Sequence, residues 1–233
     1  MEAVAETYGS GQLPASTKPG AGQRPGIPVN TTTTTTSRVS PLCAYLGSPA
    51  PARPLHWPTV KRLWLLRHAK SSWDQPSLLD ADRPLAPRGR RAVEVLAAHL
   101  AASDVRPTVV LCSSSLRTRE TLAAILPALG DALEIRIERA LYGARAAQLL
   151  DRLRQVSNRA SSAMLIAHNP GIQDLALALA AGGPALAGLR EKVPTGALTT
   201  VELDVERWRD LDHGTGTATI LVTPRSLESG PEK

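Results

Sequence analysis

The stretch Leu63–Trp73, LWLLRHAKSSW, begins as an unbroken apolar run and turns at Arg67 into arginine, histidine, lysine and paired serines. Four apolar side chains without polar alternation suit a strand covered on both faces. A guanidinium at the end of such a strand needs a compensating anion, because a desolvated and unpaired charge is costly.

Working outward, strand and helix patterns alternate from Val60 onward. VKRLWLL reads as a strand, and RGRRAVEVLAAHLAA places Val93, Leu96, Ala97 and Leu100 on one helical face. TVVLC is a short apolar strand, and the helix LRTRETLAAILPAL that follows it stops near Gly130. LEIRI, ARAAQLLDRLRQV, AMLIA and GIQDLALALAA continue as strand, helix, strand and helix, and ALTTVELDV and TATILVT close the chain as strands. Such alternation predicts an α/β fold of three layers, α/β/α, with a mostly parallel central sheet and the last two strands antiparallel at one edge.

One domain is therefore expected over residues 60–224, with a flexible tail over 225–233. Residues 1–59 are rich in Pro, Gly, Ser and Thr, include the run Thr31–Thr36, and read as a disordered low-complexity segment. The domain pattern starts abruptly, and a start at a valine codon near Val60 would make part of this segment an artefact of start-site choice.

Composition narrows the function classes. The formal net charge of +6 is spread along the chain, aromatic residues make up 3% and Phe is absent, so no nucleic-acid partner is expected, while a small anion suits the charge. Cys43 and Cys112 lie far apart, against a disulfide framework or zinc site. The N-terminus carries two glutamates and no apolar h-region, and the apolar region Leu175–Leu189 is broken by GGP and too short to span a bilayer. The expectation is a soluble cytoplasmic protein with no membrane partner.

In parallel α/β sheets ligands bind beyond the carboxyl ends of the strands. Three segments put polar residues there: Arg67 and His68 after LWLL; Ser113, Ser114, Ser115 and Arg117 after VVLC; His168, Asn169, Pro170 and Gly171 after MLIA. Each has an ordinary reading alone, as a loop histidine, a solvated helix arginine or half of an ion pair. Jointly, two forked guanidiniums beside two imidazoles suit a tetrahedral oxyanion such as phosphate.

Those residues carry a resemblance. LLRHAKSSW resembles the Arg-His-Gly signature of the histidine phosphatase superfamily, which includes cofactor-dependent phosphoglycerate mutases and acid phosphatases. CSSSLRTRETL is similar to that family's second motif, LIAHNPG to its third, and DADRPLAPRGRRAVEVL to the segment entering its first helix. The likeness covers Lys61 to Pro224, and RHAKS, DRPL and HNPG look most like the phosphohistidine phosphatase SixA type. It implies a phosphoglycerate mutase-like fold, His68 as nucleophile, and Arg67, Arg117 and His168 completing a phosphate pocket, with Ser71 a further phosphate contact. No cofactor or metal is implied. Ala69 departs from the family's glycine, and Asp74 stands where mutase-like relatives have an amide.

The expected reaction passes through a phosphohistidine, with His68 neutral, its second ring nitrogen held by a backbone carbonyl, and His168 protonated. Glu138 and Asp82 are the candidates for a general acid. The substrate is expected to be a protein phosphohistidine. The alternatives are a phosphomonoesterase or mutase acting on a small phosphate ester, recognised by the insertion AGGPALAGLREKVPTG, and a non-catalytic phosphate-binding module. His56, His99 and His213 read as bystanders, and Cys112 as a buried apolar residue.

Overall fold

The computed structural model describes residues 60–229. The expectations for residues 1–59 and for residues 230–233 lie outside the described residues.

Seven strands form one sheet. They are β1 (Lys61–Arg67), β2 (Val109–Ser113), β3 (Glu134–Glu138), β4 (Ser162–Ala167), β5 (Ala180–Gly182), β6 (Leu198–Leu203) and β7 (Gly216–Val222), in the order β3-β2-β4-β1-β6-β7-β5. β1 therefore holds the middle place, which its unbroken apolar run requires, and Leu63 to Leu66 are all buried. It pairs in parallel with β4, as do β4 with β2 and β2 with β3. β6 runs antiparallel to both β1 and β7.

The last two long strands are antiparallel as expected, but they do not form the edge. The three-residue β5, parallel to β7, takes that place. The apolar run read as one helix through Ala181 in fact ends at Leu179, and the chain then turns extended to cover the side of β7.

Helices α1 (Pro87–Ala101), α2 (Leu116–Ile125), α3 (Ala146–Arg154), α4 (Gly171–Leu179), α5 (Leu186–Glu191) and α6 (Pro224–Ser229) complete the layers. Because side chains alternate along β1, Leu63 and Leu65 join one core with Leu149, Leu153, Ile172 and Leu175 of α3 and α4. Trp64 and Leu66 join the other, with Val93, Leu96, Leu100, Leu122 and Ile125 of α1 and α2. The tail expected to be flexible from residue 225 instead continues as α6. Its Leu227 packs against the second core, which gives those residues a reason to stay helical.

Two glycines occupy positions that a side chain would strain. Gly130, at φ +87°, ends the turn of 3-10 helix that prolongs α2. Gly89, in the first turn of α1, is pressed against the loop that follows β1: a Cβ there would lie 2.2 Å from the Lys70 carbonyl oxygen. That carbonyl also accepts the Ala86 N–H at 2.8 Å, so the start of α1 clamps the backbone next to His68. Gly89→Ala should cost about 2 kcal/mol through this overlap, which thermal denaturation would register as a fall in Tm of about 4–8 °C. An unchanged Tm would mean that the contact is loose.

Candidate active site

Strand register brings the motifs together. Arg67 stands opposite Ala167, and Cys112 opposite Ile166, so the last residues of β1, β4 and β2 lie level with one another. His68 and His168 follow directly, and Arg117 enters from the first turn of α2.

His68 is fixed by its neighbours. Its backbone N–H donates to the Ala167 carbonyl at 3.1 Å, and its Nδ1 lies 2.8 Å from the Ala69 carbonyl oxygen. A carbonyl can only accept, so Nδ1 carries the proton and Nε2 keeps its lone pair. The Ala69 peptide is itself held: its N–H donates to Thr121 Oγ1 at 3.1 Å, and that hydroxyl donates to the Arg117 carbonyl at 2.7 Å. No non-glycine among the described residues has a positive φ, so alanine replaces the family's glycine at position 69 without backbone strain.

His168 is oriented the opposite way round. Arg117 Nη2, a donor only, lies 3.4 Å from its Nδ1, and Ser113 Oγ lies 2.8 Å from its Nε2. Nδ1 is then the acceptor, and Nε2–H donates to the serine. The two imidazoles stand 5.0 Å apart, centroid to centroid.

Burial pushes the His68 imidazole down to about 4, with the Arg117 and Arg67 charges adding to the effect. Burial pushes His168 down to about 3, helped by His68 and Arg117. In this geometry a desolvated ring that accepts from a guanidinium is neutral, whereas the protonated His168 is expected where it faces a phosphate.

The two arginines differ. Arg67 donates Nη1 to the Val193 carbonyl at 2.7 Å, its Nε is buried without a hydrogen-bond partner, and no carboxylate among the described residues pairs with it. Burial lowers its pKa, as a desolvated cation requires. Arg117 instead donates Nη1 to the Asp80 carbonyl and Nη2 to Asp80 Oδ2, the latter at 2.8 Å. Tyr142 donates its hydroxyl to the same Oδ2 at 2.7 Å. The tyrosine hydroxyl and Arg117 together hold the Asp80 carboxyl below the usual range.

The remaining expected residues do not join this group. Glu138 ends the edge strand β3, and α3 supplies Arg152, which grips both its oxygens at 2.7 and 2.6 Å. Both carboxylate oxygens are thus committed to that ion pair, and neither bonds Arg67, His68, Arg117 or His168. Asp82 is exposed, and no hydrogen bond or ion pair joins it to the four residues. Ser71 pairs with Leu85 through its backbone, its hydroxyl unbonded. Asp74 accepts from the Ser72 hydroxyl at 2.8 Å, which settles its carboxylate in a loop turn. His99 lies on α1, where its main-chain carbonyl accepts from the Ser103 hydroxyl just beyond the helix, and His213 sits in a turn. Burial pushes the Cys112 thiol up to about 12, in keeping with a structural residue. Among the described residues no group of three His, Cys, Asp or Glu is placed to hold a metal ion, and no helix is long and apolar enough to cross a membrane.

The family model of the histidine phosphatase superfamily, branch 1, matches residues 63–143. The chain belongs to the histidine phosphatase superfamily. It is 31% identical over 164 residues to an uncharacterized protein of Mycobacterium tuberculosis, covering 69% of this chain and all of that one. Two solved structures are similar to this histidine phosphatase, both of proteins assigned as phosphohistidine phosphatase SixA. The one from Nakamurella multipartitia is 26% identical with a TM-score of 0.63, over 72% of this chain and 98% of its own. The one from Agrobacterium tumefaciens is 29% identical with a TM-score of 0.56, over 61% and 92%.

Sequence reading missed Asp80, Tyr142 and Thr121 as parts of this site. Asp80 lies two residues before Asp82 in the same turn, and only the direction of that turn decides which carboxylate meets Arg117. Both histidines release protons on folding, from about 6.5 in the unfolded chain to about 4 and about 3 in the fold. The native state binds fewer protons in that window, so stability should be full above pH 6.5 and fall toward pH 4, by about 1.4 kcal/mol per pH unit for each histidine. Urea denaturation across that range should show His168→Gln losing one histidine's share of the slope. An unchanged slope would contradict the neutral assignment.

Proposed function

We propose that this histidine phosphatase transfers a phosphoryl group to Nε2 of His68 and hydrolyses the resulting phosphohistidine, and that its substrate is a phosphohistidine on another protein. One observation carries the reading. Arg67 is a partly desolvated guanidinium with no carboxylate partner among the described residues and an unsatisfied Nε, and it stands beside an imidazole whose lone pair is free. A phosphate would supply both the missing counter-charge and the electrophile.

In the first step the Nε2 lone pair of His68 attacks phosphorus in line, and the bond to the substrate's imidazole nitrogen breaks with its electrons. In the second, water attacks phosphorus and releases inorganic phosphate, which returns the lone pair to Nε2. The Nδ1–H bond to Ala69 stabilises the positive charge that the ring gains while phosphorylated. Arg67 and Arg117 face the charge on the transferring oxygens, and a doubly charged phosphate beside His168 would raise that ring's pKa enough for it to donate as well.

A phosphoramidate nitrogen leaves with less help than an alkoxide. A substrate of this class agrees with a site in which neither the Glu138 nor the Asp82 carboxylate bonds the four residues. The surroundings favour a protein over a small ester. Leu79 next to Asp80, Tyr142 bonded to it and Trp73 stacked on Arg83 are all exposed, giving the pocket an apolar rim. In the insertion that would recognise a small metabolite, Leu189 and Val193 are buried, and the Val193 carbonyl is engaged by Arg67 and Asn169.

Wild-type protein mixed with a phosphohistidine carrier protein should yield an acid-labile phosphoenzyme that His68→Ala does not form, and Arg67→Gln should lower kcat by about a hundred- to a thousandfold. EDTA should leave turnover unchanged. Faster turnover of a sugar or glycerate ester than of the carrier protein would replace the substrate assignment, and activity in His68→Ala would remove the nucleophile.

A further inference from the structure

Asp80 is anomalous for a phosphate pocket, because its main-chain carbonyl and its carboxylate take one outer nitrogen each of the Arg117 guanidinium, and the carboxylate holds the Nη2 that a phosphate would use. Both outer nitrogens of Arg117 donate to Asp80, and the arginine side chain is only 8% exposed, so it has little freedom to turn elsewhere. The Asp80 side chain is 52% exposed, and its Oδ2 is held by Arg117 and the Tyr142 hydroxyl.

A second cation waits beside it. Arg83 is 12% exposed, stacks 3.7 Å above the centre of the Trp73 ring, and has its Nε and Nη1 buried with no hydrogen-bond partner. Its Nε lies 3.8 Å from Asp80 Oδ1, within ion-pair range but beyond a hydrogen bond. Two buried donors lacking an acceptor are costly, and a small rotation of Asp80 would satisfy them.

Resting on the phosphatase reading above, we infer that Asp80 is a positioning residue shared between two arginines: it holds Arg117, and an arriving phosphate displaces it onto Arg83. The carboxylate and the phosphate compete for Arg117, while Arg83 offsets the loss of the displaced ion pair. Tyr142, which donates to the oxygen that faces Arg117, biases the carboxylate toward that side. The site thereby keeps Arg117 ordered, admits only an anion able to outcompete a carboxylate, and weakens its hold on the phosphate product.

Calorimetric titration of the full chain with inorganic phosphate tests this. Asp80→Asn and Asp80→Ala should bind phosphate about two- to fivefold more tightly than wild type, the scale of one partly exposed charge pair. Arg83→Gln should bind more weakly by a similar factor, and that penalty should largely vanish in the Asp80→Asn background. A residue that merely props Arg117 would give the reverse sign, so unchanged or weaker binding by both Asp80 variants would overturn the inference. An Arg83→Gln penalty undiminished beside Asp80→Asn would also overturn it, by making Arg83 a direct phosphate ligand. These results would leave the phosphatase reading standing, whereas no phosphate binding by any of the proteins would remove both.

Discussion

The hydrogen bond from His68 Nδ1 to the Ala69 carbonyl is the interaction on which the site depends. An imidazole has two nitrogens and, when neutral, one proton. Fixing that proton on Nδ1 leaves Nε2 as the free base and sets the direction in which it points. A chain of local constraints then keeps the acceptor still. Thr121 holds the Ala69 N–H, the Arg117 carbonyl holds Thr121, and the clamp of Gly89 and Ala86 on Lys70 holds the next peptide. The nucleophile's geometry thus rests on backbone groups of β1's exit loop, α1 and α2, the elements that also build one of the two cores.

Electrostatics supply the second constraint. The fold brings Arg67 and Arg117 to two neutral histidines, and among the described residues no carboxylate pairs with Arg67. That arrangement is tolerable because the histidines themselves stay uncharged: burial and the nearby guanidiniums disfavour their protons. The positive character of the pocket therefore resides in arginines that cannot lose it, while the nucleophile remains basic at neutral pH. Asp80 tempers this charge from one side only, through Arg117.

Much of this was legible in sequence because strand ends are. LWLL, VVLC and MLIA are unmistakable buried strands, and the residue after each is fixed by continuity, so the meeting of His68, Arg117 and His168 follows from topology. The edge of the sheet was not legible, since Ala180–Gly182 carries no strand signal and pairs only because β7 offers an open side. Glu138 was misjudged because its strand ends level with the others but at the sheet's margin, where α3 delivers Arg152. His168 was expected to be charged because the motif shows the phosphate's needs and not the desolvation of the ring. The pairing of Asp80 with Arg117 depends on how one turn of 3-10 helix faces, which three residues of sequence do not encode.

The most direct measurement is the position of phosphorus in the trapped phosphoenzyme. With 15N-labelled histidine, 31P–15N coupling distinguishes the two ring nitrogens, and proteolysis assigns the residue. A pinned Nδ1–H requires phosphorus on Nε2 of His68. Phosphorus on Nδ1 of His68, or on His168, would contradict the account.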